Sequence, residues 1–266
     1  MAKKGKNVSE LEEEKDPYKL EYIPAQVSTF DRMLDTEGLE RGSTVLISGG
    51  CGSGKTMFVT QSAYHAALNG EKVVFFSLNE EPEKIKAHMY NSFGWDLDKL
   101  EKNGNFVIKR VEPYDIARSI ETIVKERSIE QVIGRLKNIT VDIKEVTMPF
   151  HPDRVILDSL SDLAVAFSDN NKYRAYIKVL FDSLRSYNSV NLVTTEVEQE
   201  PNTYSRNGIE EFVVDGVVVL YNIRRDSVRT RAIEVLKMRF TNHLKKMVPF
   251  RIGDEGIVIY LEEQVF

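Results

Sequence analysis

The chain of 266 residues contains one cysteine, Cys51, so it cannot form an internal disulfide and fits a reducing compartment. It also lacks an apolar run of about eighteen residues, the length that a membrane-spanning helix requires. Its first residues, "MAKKGKNVSELEEEKD", have lysines but no apolar core, which predicts neither a signal peptide nor an anchor. An excess of positive charge is missing too, because the formal net charge is −5 at pH 7, which argues against a dedicated duplex-DNA binder. These absences together predict a cytoplasmic protein without a membrane segment.

The composition bounds the size of the folded part. Hydrophobic residues make up 42% of the chain and charged residues 29%, which suits one large α/β domain or two small ones. Residues 1–19 are rich in charge and nearly free of large apolar side chains, so we predict a disordered charged tail there. Residues 20–266 are predicted to fold.

The stretch "VLISGGCGSGKTMFVTQSAYHAAL" (residues 45–68) combines an apolar strand, a glycine-rich turn and a helical segment that stops at Gly70. Gly49 and Gly54 bracket four residues and precede Lys55 and Thr56, which is the GxxxxGK[ST] spacing of a phosphate-binding loop. Glycines let backbone N–H groups approach an anion, the lysine reaches the β- and γ-phosphates, and the threonine places a hydroxyl on Mg²⁺. The predicted nucleotide-binding residues of this loop are Gly49, Gly50, Cys51, Gly52, Ser53, Gly54, Lys55, Thr56 and Met57.

Two carboxylates follow the next apolar strand. The run "KVVFFSL" (residues 72–78) ends just before Glu80 and Glu81. Ligands of open parallel sheets bind beyond the carboxyl ends of the strands, so these acids and the phosphate loop are predicted to face one crevice. One acid would polarise water there. Acids also suit the start of a helix with Pro82 in its first turn, and the two roles are compatible.

A third strand ends in an acid. In "RVILDSLSDL" (residues 154–163) an apolar run leads to Asp158, the position of a Walker B acid that holds the water shell of Mg²⁺. An acid after an apolar strand is also a common helix cap, so this prediction depends on the phosphate loop about a hundred residues earlier. Strand and helix patterns alternate through this region and predict an α/β fold with a mainly parallel, twisted sheet flanked by helices.

The pattern changes from residue 215 onward. "DGVVVLYNI" and "RTRAIEVLKMRF" predict one antiparallel hairpin, and "FRI" and "IVIYLE" predict another. Two interpretations of the last long strand stay open: an exposed polar end of an edge strand, or a cation pair that contacts the nucleotide phosphate of a neighbouring subunit. Regular alternation would place the following residues on one face of that strand: Ile233, Val235, Lys237, Arg239, Thr241 and, at its limit, His243.

Taken in this order, the motifs resemble the KaiC family, the single- or double-domain ATPases related to the circadian clock protein within the RecA superfamily. The resemblance covers roughly residues 28–260. Its stretches are "SGGCGSGKT", the Glu80–Glu81 pair, "SFGWDLDKL", "ILDSLSDL", "VTTE", "NGIEEFVVDGVVVL", "RRDSVRTRAIEVLKMRFTNH" and "PFRIGDEGIVIY".

The resemblance implies a single RecA-type P-loop domain over residues 20–266, assembled as a homo-oligomeric ring, usually a hexamer, with ATP and Mg²⁺ between subunits. It implies that Lys55 and Thr56 are the Walker A residues, Glu80 and Glu81 the catalytic carboxylates, and Asp158 the Walker B acid. A further set matches the family's KxRxTxH stretch, which contacts the triphosphate of the adjoining subunit: Lys237, Arg239, Thr241 and His243.

The chain departs from the family pattern at several positions. Members usually have proline at the position of Cys51, glycine at that of Phe240, and Ser or Thr between the acid pair and the proline that is Pro82 here. The last difference leaves two registers for the acid pair. A count without gaps to "SFGWDL" favours Glu80 and Glu81, and the alternative is Asn79 and Glu80.

Three functions remain under comparison. The first is a ring-forming regulatory ATPase with slow turnover, as the resemblance implies. The second is a nucleotide-gated scaffold that assembles on ATP and engages a protein partner in signalling or motility, although retained acids argue mildly for hydrolysis. The third is a recombination or helicase motor, against which the acidic net charge and the absence of long basic, glycine-rich loops after "VTTE" both count.

Overall fold

In the part of the chain that the structure describes, nine strands form the central sheet and two short strands pair separately. The computed structural model describes residues 19–133, 148–167, 170–198 and 203–265. The strands are β1 (Tyr22–Ile23), β2 (Leu39–Glu40), β3 (Thr44–Gly49), β4 (Val73–Ser77), β5 (Phe106–Arg110), β6 (Arg154–Asp158), β7 (Val190–Glu196), β8 (Gly216–Arg225), β9 (Val228–Met238), β10 (Val248–Gly253) and β11 (Gly256–Ile259). The helices are α1 (Lys55–Leu68), α2 (Pro82–Phe93), α3 (Leu97–Lys102), α4 (Pro113–Ile133), α5 (Leu160–Val165), α6 (Asn170–Arg185) and α7 (Glu210–Val213), with a 3-10 turn at Phe30–Met33.

The order of the large sheet is β11-β10-β9-β8-β3-β7-β6-β4-β5. The six strands from β8 to β5 run parallel, and β9, β10 and β11 continue the sheet in antiparallel pairs. This confirms the predicted fold class of a mainly parallel sheet with antiparallel strands on the C-terminal side. The predicted tail, apart from residue 19, and the "ITVDIKEV" segment (residues 139–146) lie outside the described residues.

The parallel strands are buried on both faces, which explains why they are continuous apolar runs. In β3, Val45 and Ile47 pack into one core together with Phe58 of α1, whereas Leu46 packs into a second core with α4, α5 and α6. We call these the α1 core and the α6 core. Alternate side chains of a strand point to opposite faces, so a single strand supplies both cores.

The strand register places the ends of the parallel strands at one edge of the sheet. Gly49, the last residue of β3, pairs with Glu196, and Ser77, the last residue of β4, pairs with Asp158. We call this edge the phosphate-loop edge and the edge where the parallel strands begin the opposite edge. Whatever follows β3, β4, β6 and β7 therefore meets at the phosphate-loop edge.

A bulge on β9 overturns one sequence prediction. Val217 pairs with Lys237, but the next residue, Val218, pairs with Val235, so Leu236 is the extra residue of a bulge. Val235 packs into the α1 core, whereas Lys237 lies on the face of Val217, which packs into the α6 core. The prediction that Val235 and Lys237 share a face is wrong, because the extra residue reverses the alternation.

The predicted strand also ends earlier than expected. β9 ends at Met238, so Arg239, Thr241 and His243 lie beyond it rather than along a strand face. Phe240 between them has a φ of +57° and is 91% exposed. His243 forms an isolated bridge with Leu34, next to the 3-10 turn. The segment after β9 is thus attached to the N-terminal part of the fold.

A fully buried arginine begins β6 at the opposite edge. Arg154 has no exposed surface, and its guanidinium contacts the carboxylate of Glu71 at 2.9 Å. It also donates to the carbonyl oxygens of Pro24 and Ala25 at 2.7 and 3.0 Å and to the hydroxyl of Ser62 at 2.6 Å. Because a buried charge needs such partners, Arg154 holds the segment before the 3-10 turn against α1 and the sheet.

Asp31, in the 3-10 turn, makes folding stability depend on pH. Burial raises the pKa of Asp31 to about 6, although bonds from the backbone of Ala25 and the nearby Arg154 oppose the shift. A raised pKa means that the folded state binds the proton more tightly, so this stability is full below about pH 4 and lost as the pH rises through 6. We expect Asp31→Asn to be more stable than the wild type by about 2 kcal/mol at pH 7.5 and equally stable at pH 4.

Urea unfolding of both proteins across this pH range measures the effect. Asp98→Asn, which changes a largely exposed carboxylate in α3, serves as the control and should follow the wild type. A constant difference between Asp31→Asn and the wild type from pH 4 to pH 7.5 would contradict this account of the buried carboxyl.

Candidate functional site

Glycine is required where β3 passes into the phosphate loop. A Cβ on Gly49 would lie 2.4 Å from the carbonyl oxygen of Leu220 and 2.5 Å from the hydroxyl of Ser53, closer than real Cβ atoms come. Gly54, the last residue before α1, has a φ of +104°, a conformation that residues with a Cβ rarely adopt. The loop therefore turns tightly enough to aim the N-terminus of α1, with its free backbone N–H groups, at an anion.

The lysine of the loop is already inside the site. Lys55 is 8% exposed, and its Nζ donates to the carbonyl oxygen of Gly50 at 3.2 Å. Burial lowers the pKa of Lys55, and the nearby Glu196, Asp158 and Cys51 oppose this shift. A buried cation whose bond is to a neutral carbonyl is well placed to exchange it for phosphate oxygens.

The phosphate loop also buries the hydroxyl of Ser53. The Ser53 hydroxyl makes no hydrogen bond to any residue in the described part of the chain. Buried polar groups are normally hydrogen-bonded, so an orphaned donor inside a glycine-rich turn suits a ligand with acceptor oxygens. Phosphate supplies such oxygens.

Thr56 and Asp158, the predicted Walker A threonine and Walker B acid, are in direct contact. Thr56 donates its hydroxyl to Asp158 Oδ2 at 2.8 Å, and Thr194 of β7 donates to Asp158 Oδ1. Burial raises the pKa of Asp158, while the bonds from Thr194 and Thr56 and the charge of Lys55 oppose the shift. One hydroxyl and one carboxylate beside a phosphate loop fit Mg²⁺, which keeps several waters and takes few protein ligands. Among the described residues no cluster of three or more His, Cys, Asp or Glu forms a metal site of the all-protein kind.

The two adjacent acids differ in their surroundings. Glu80 lies in the turn after β4, where its backbone N–H and carbonyl both bond the Ser77 hydroxyl, at 3.1 and 2.6 Å. Its carboxylate is exposed and has no ion-pair partner in the described ranges. Glu81 instead pairs with Arg110 at the end of β5, which also contacts Glu112 at 3.1 Å. The structure thus places Glu80 at the phosphate-loop edge, three residues after Ser77, the register partner of Asp158, and the Glu80 carboxylate is exposed.

Lys237 and Arg239 lie at the opposite edge. Met238, the last residue of β9, pairs with Gly216, the first residue of β8. Gly216 pairs in turn with Val45, near the start of β3. The phosphate loop follows the far end of β3, about 13 Å along the strand from Val45. Neither side chain can span that distance, so these cations do not belong to the phosphate site of their own chain.

Both cations contact the short helix α7 or the two residues that follow it. Lys237 Nζ donates to the carbonyl oxygens of Val214 and Glu211 at 2.7 and 3.0 Å, and burial lowers its pKa. Arg239 contacts the Asp215 carboxylate at 3.2 Å. Thr241 and His243, the other two predicted residues of this stretch, follow at the same edge, where His243 Nδ1 lies 3.3 Å from the carbonyl oxygen of Leu244.

Several residues of the site were not predicted from the sequence. Thr194 and Glu196 belong to "VTTE", a stretch that predicts no role for either side chain. Arg231 on β9 donates to the Gly52 carbonyl oxygen at 3.3 Å and so touches the phosphate loop of its own chain. Asp215 stands immediately before the apolar run of β8, and the sequence predicts no role for its carboxylate. For Thr194 the signal was present, because β6 and β7 are adjacent parallel strands and their ends must meet.

A glycine-rich phosphate loop between β3 and α1, an acid at the end of β6 in contact with that loop, and an open, mainly parallel sheet define a RecA-type P-loop protein. Comparison with known proteins narrows this class. The family model "ATPase: KaiC" matches residues 23–264, and the chain belongs to the KaiC family.

Named relatives agree with this assignment. The chain is 33% identical over 241 residues to the circadian clock protein KaiC3 of Synechocystis, covering 90% of this chain and 46% of the relative. It is 32% identical over 226 residues to the circadian clock oscillator protein KaiC of Synechococcus elongatus, covering 84% of this chain and 41% of the relative. The chain therefore spans less than half the length of these two curated relatives.

A solved structure matches over a full chain. The crystal structure of a KaiC-like protein from the hyperthermophilic archaeon Pyrococcus horikoshii aligns with a TM-score of 0.72 and 30% identity, covering 91% of this chain and 100% of that chain. Across the described ranges, no helix is both long and apolar enough to cross a membrane.

Proposed function

We propose that this protein binds ATP with Mg²⁺ and hydrolyses it slowly, at sites formed between the subunits of a homo-oligomeric, hexameric ring. The observation that carries the proposal is the contact of Thr56 with Asp158 at 2.8 Å, which joins the phosphate loop and the Walker B acid in one site. In this site the N–H groups of residues 49–57 and the Lys55 ammonium bind the triphosphate. Thr56 and Asp158 would hold Mg²⁺, which would supply positive charge to neutralise the triphosphate.

Hydrolysis needs a base beside the γ-phosphate. We assign this role to Glu80, whose carboxylate is available, and a supporting role to Glu81, which Arg110 holds. Water attacks the γ-phosphorus, its proton passes to the Glu80 carboxylate, and the bond to the oxygen bridging the β- and γ-phosphates breaks. The products are ADP and inorganic phosphate. The proposed proton acceptor is thus an acid in the turn that follows β4.

The cations of a neighbouring subunit complete the site. Charge develops on the transferring phosphoryl oxygens and on the leaving ADP, and a guanidinium or ammonium nearby stabilises it. Lys237 and Arg239 lie too far from their own phosphate loop for this role, so the next subunit must receive them. Thr241 and His243 follow in the same segment and would contact the same triphosphate. We further propose that the ring is regulatory and engages a protein partner.

The test combines two variants that damage different halves of the site. Lys55→Ala damages the phosphate loop and Arg239→Ala the cation that acts on the next subunit, so each alone should keep less than about a tenth of the phosphate release rate. In randomly mixed rings about a quarter of the interfaces pair an intact Lys55 with an intact Arg239, so mixing should restore activity toward that fraction.

The measurements are phosphate release and mass in solution, each with and without Mg²⁺-ATP. Arg118→Ala, on the exposed face of α4, is the matched control and should leave both unchanged. Equal phosphate release by the wild type and Lys55→Ala would refute the ATPase. Assembly on ATP with negligible phosphate release would support the nucleotide-gated scaffold instead.

A further inference from the structure

We propose that Asp215 is a positioning residue, which holds Arg239 in the orientation that reaches the nucleotide of the next subunit. The inference rests on the proposed function and assigns a role to a carboxylate that lies outside the motifs of the phosphate site. Asp215 immediately precedes β8 at the opposite edge of the sheet.

The carboxylate of Asp215 contacts two arginines and a backbone group. Its Oδ1 accepts from Arg239 Nη1 at 3.2 Å, and its Oδ2 accepts from Arg185 Nη2 at 3.2 Å and from the backbone N–H of Thr44 at 3.0 Å. The backbone also links these segments, since Asp215 donates to the carbonyl of Thr44 and Arg239 donates to that of Asp215, both at 2.9 Å. A carboxylate held on so many sides is a fixed anchor.

Arg239 needs such an anchor because the chain around it is exposed. It follows the last residue of β9, its side chain is 44% exposed, and its neighbour Phe240 is 91% exposed. An arginine side chain loses conformational entropy when it is held in one geometry. Ordering it in advance removes most of that cost from the transition state.

The anchored arginine still has donors to offer. It donates through Nη1 to Asp215 and through Nη2 to the carbonyl oxygen of Phe212, at 3.4 Å, which uses two of the five N–H groups of a guanidinium. Arg185 shares the carboxylate, so the charge of Asp215 is divided between two cations rather than neutralising Arg239 alone. The Arg239 side chain is 44% exposed, so its remaining N–H groups are available to an acceptor outside its own chain.

Lys237 reaches the same edge by other means. Its ammonium binds the carbonyl oxygens of Glu211 and Val214 rather than the Asp215 carboxylate. Neutralising Asp215 should therefore remove the direct contact of Arg239, whereas Lys237 loses only the electrostatic attraction of that carboxylate. This separation allows an experiment on one cation of the pair.

The variant is Asp215→Asn, whose amide oxygen can still accept from Thr44 while the charge that holds the arginines is lost. We expect kcat for ATP hydrolysis to fall about tenfold while the KM for ATP changes less than about threefold, because Arg239 acts on charge that develops in the transition state. Asp182→Asn is the matched control, since Asp182 contacts Arg185 at 3.5 Å from a partly exposed position on α6, and it should keep the wild-type kcat.

A double-variant cycle separates positioning from a general loss of structure. If Asp215 acts through Arg239, Asp215→Asn should cost nothing further in an Arg239→Ala background. It should also be rescued in rings mixed with Lys55→Ala, toward about a quarter of wild-type activity, because its own phosphate loop is intact. Asp215→Glu keeps the charge and should retain more activity than Asp215→Asn, which provides a second variant should the amide not fold.

Three results would overturn the inference: an unchanged kcat in Asp215→Asn, an equal loss in Asp182→Asn, or a full additional tenfold loss in the Arg239→Ala background. These results are distinct from failure of the proposed function. If the proposed function is wrong, rings mixed from Lys55→Ala and Arg239→Ala would show no recovery of phosphate release, whatever Asp215→Asn does.

Discussion

Glu80→Gln is expected to lower the rate of phosphate release by about 10²- to 10³-fold, whereas Glu81→Gln should lower it by less than about tenfold. The two acids are adjacent, yet only Glu81 is paired with Arg110. An acid that is held by an arginine is a poorer proton acceptor, because the ion pair favours the charged carboxylate. Glu80 is not held in this way, and the Ser77 hydroxyl fixes the backbone that carries it.

Quenched single-turnover experiments, with the enzyme in excess over Mg²⁺-ATP, measure the conversion of ATP to ADP apart from product release. ATP affinity, measured separately, should change little in either variant, since neither acid belongs to the phosphate loop. Asn79→Ala tests the other register of the acid pair, and Glu80 is a member of the pair in both. A larger loss in Glu81→Gln than in Glu80→Gln would reverse the assignment.

Arg154→Met is expected to destabilise the fold by about 3–5 kcal/mol. The substitution keeps an apolar side chain of similar length but removes the charge, and this leaves the Glu71 carboxylate without its cation. It also leaves the carbonyl oxygens of Pro24 and Ala25 and the Ser62 hydroxyl without the donor that now satisfies them. Each such loss in a buried place costs the desolvation of a polar group.

The measurement is the free energy of unfolding from urea titrations, and Arg118→Ala is the control. Arg118 pairs with Asp115 on the surface of α4, where its side chain is 78% exposed, and its loss should cost less than about 1 kcal/mol. Because Arg154 begins β6 at the opposite edge, the folded fraction of Arg154→Met should still bind ATP with wild-type affinity. Equal stability of the two variants would show that the buried arginine is dispensable.

The phosphate-loop edge was largely predictable from the sequence, because each of its parts depends on local spacing. Gly49, Gly54, Lys55 and Thr56 stand at fixed offsets, and Asp158 ends an apolar run of strand length. Parallel strands end at the same edge, so the fold class followed once these motifs were placed on strands. The roles of these residues remain a prediction that the kinetic experiments test.

The opposite edge was predictable only in part. Alternation assumes a regular strand, and nothing in "AIEVLKMRF" reveals that Leu236 is the extra residue of a bulge, since an apolar residue suits either face there. Arg154 stands before an apolar run, where a charged residue is common at the start of a strand. The sequence therefore does not reveal that its side chain is completely buried. Its partners come from three distant segments, and such long-range contacts have no periodic signature. The difference between Glu80 and Glu81 was equally hidden, because it depends on Arg110 from another strand.

The separation of the phosphate loop from Lys237 and Arg239 by the length of a strand limits the symmetry of any assembly that uses both. In a twofold dimer the same patch faces itself, so a donor patch and a recipient patch on opposite edges cannot both be satisfied. Subunits that satisfy both join head to tail, through a heterologous interface. Such a chain of contacts either closes on itself after a fixed rotation or grows as an open helix, and a small change in the angle at that interface decides between the two.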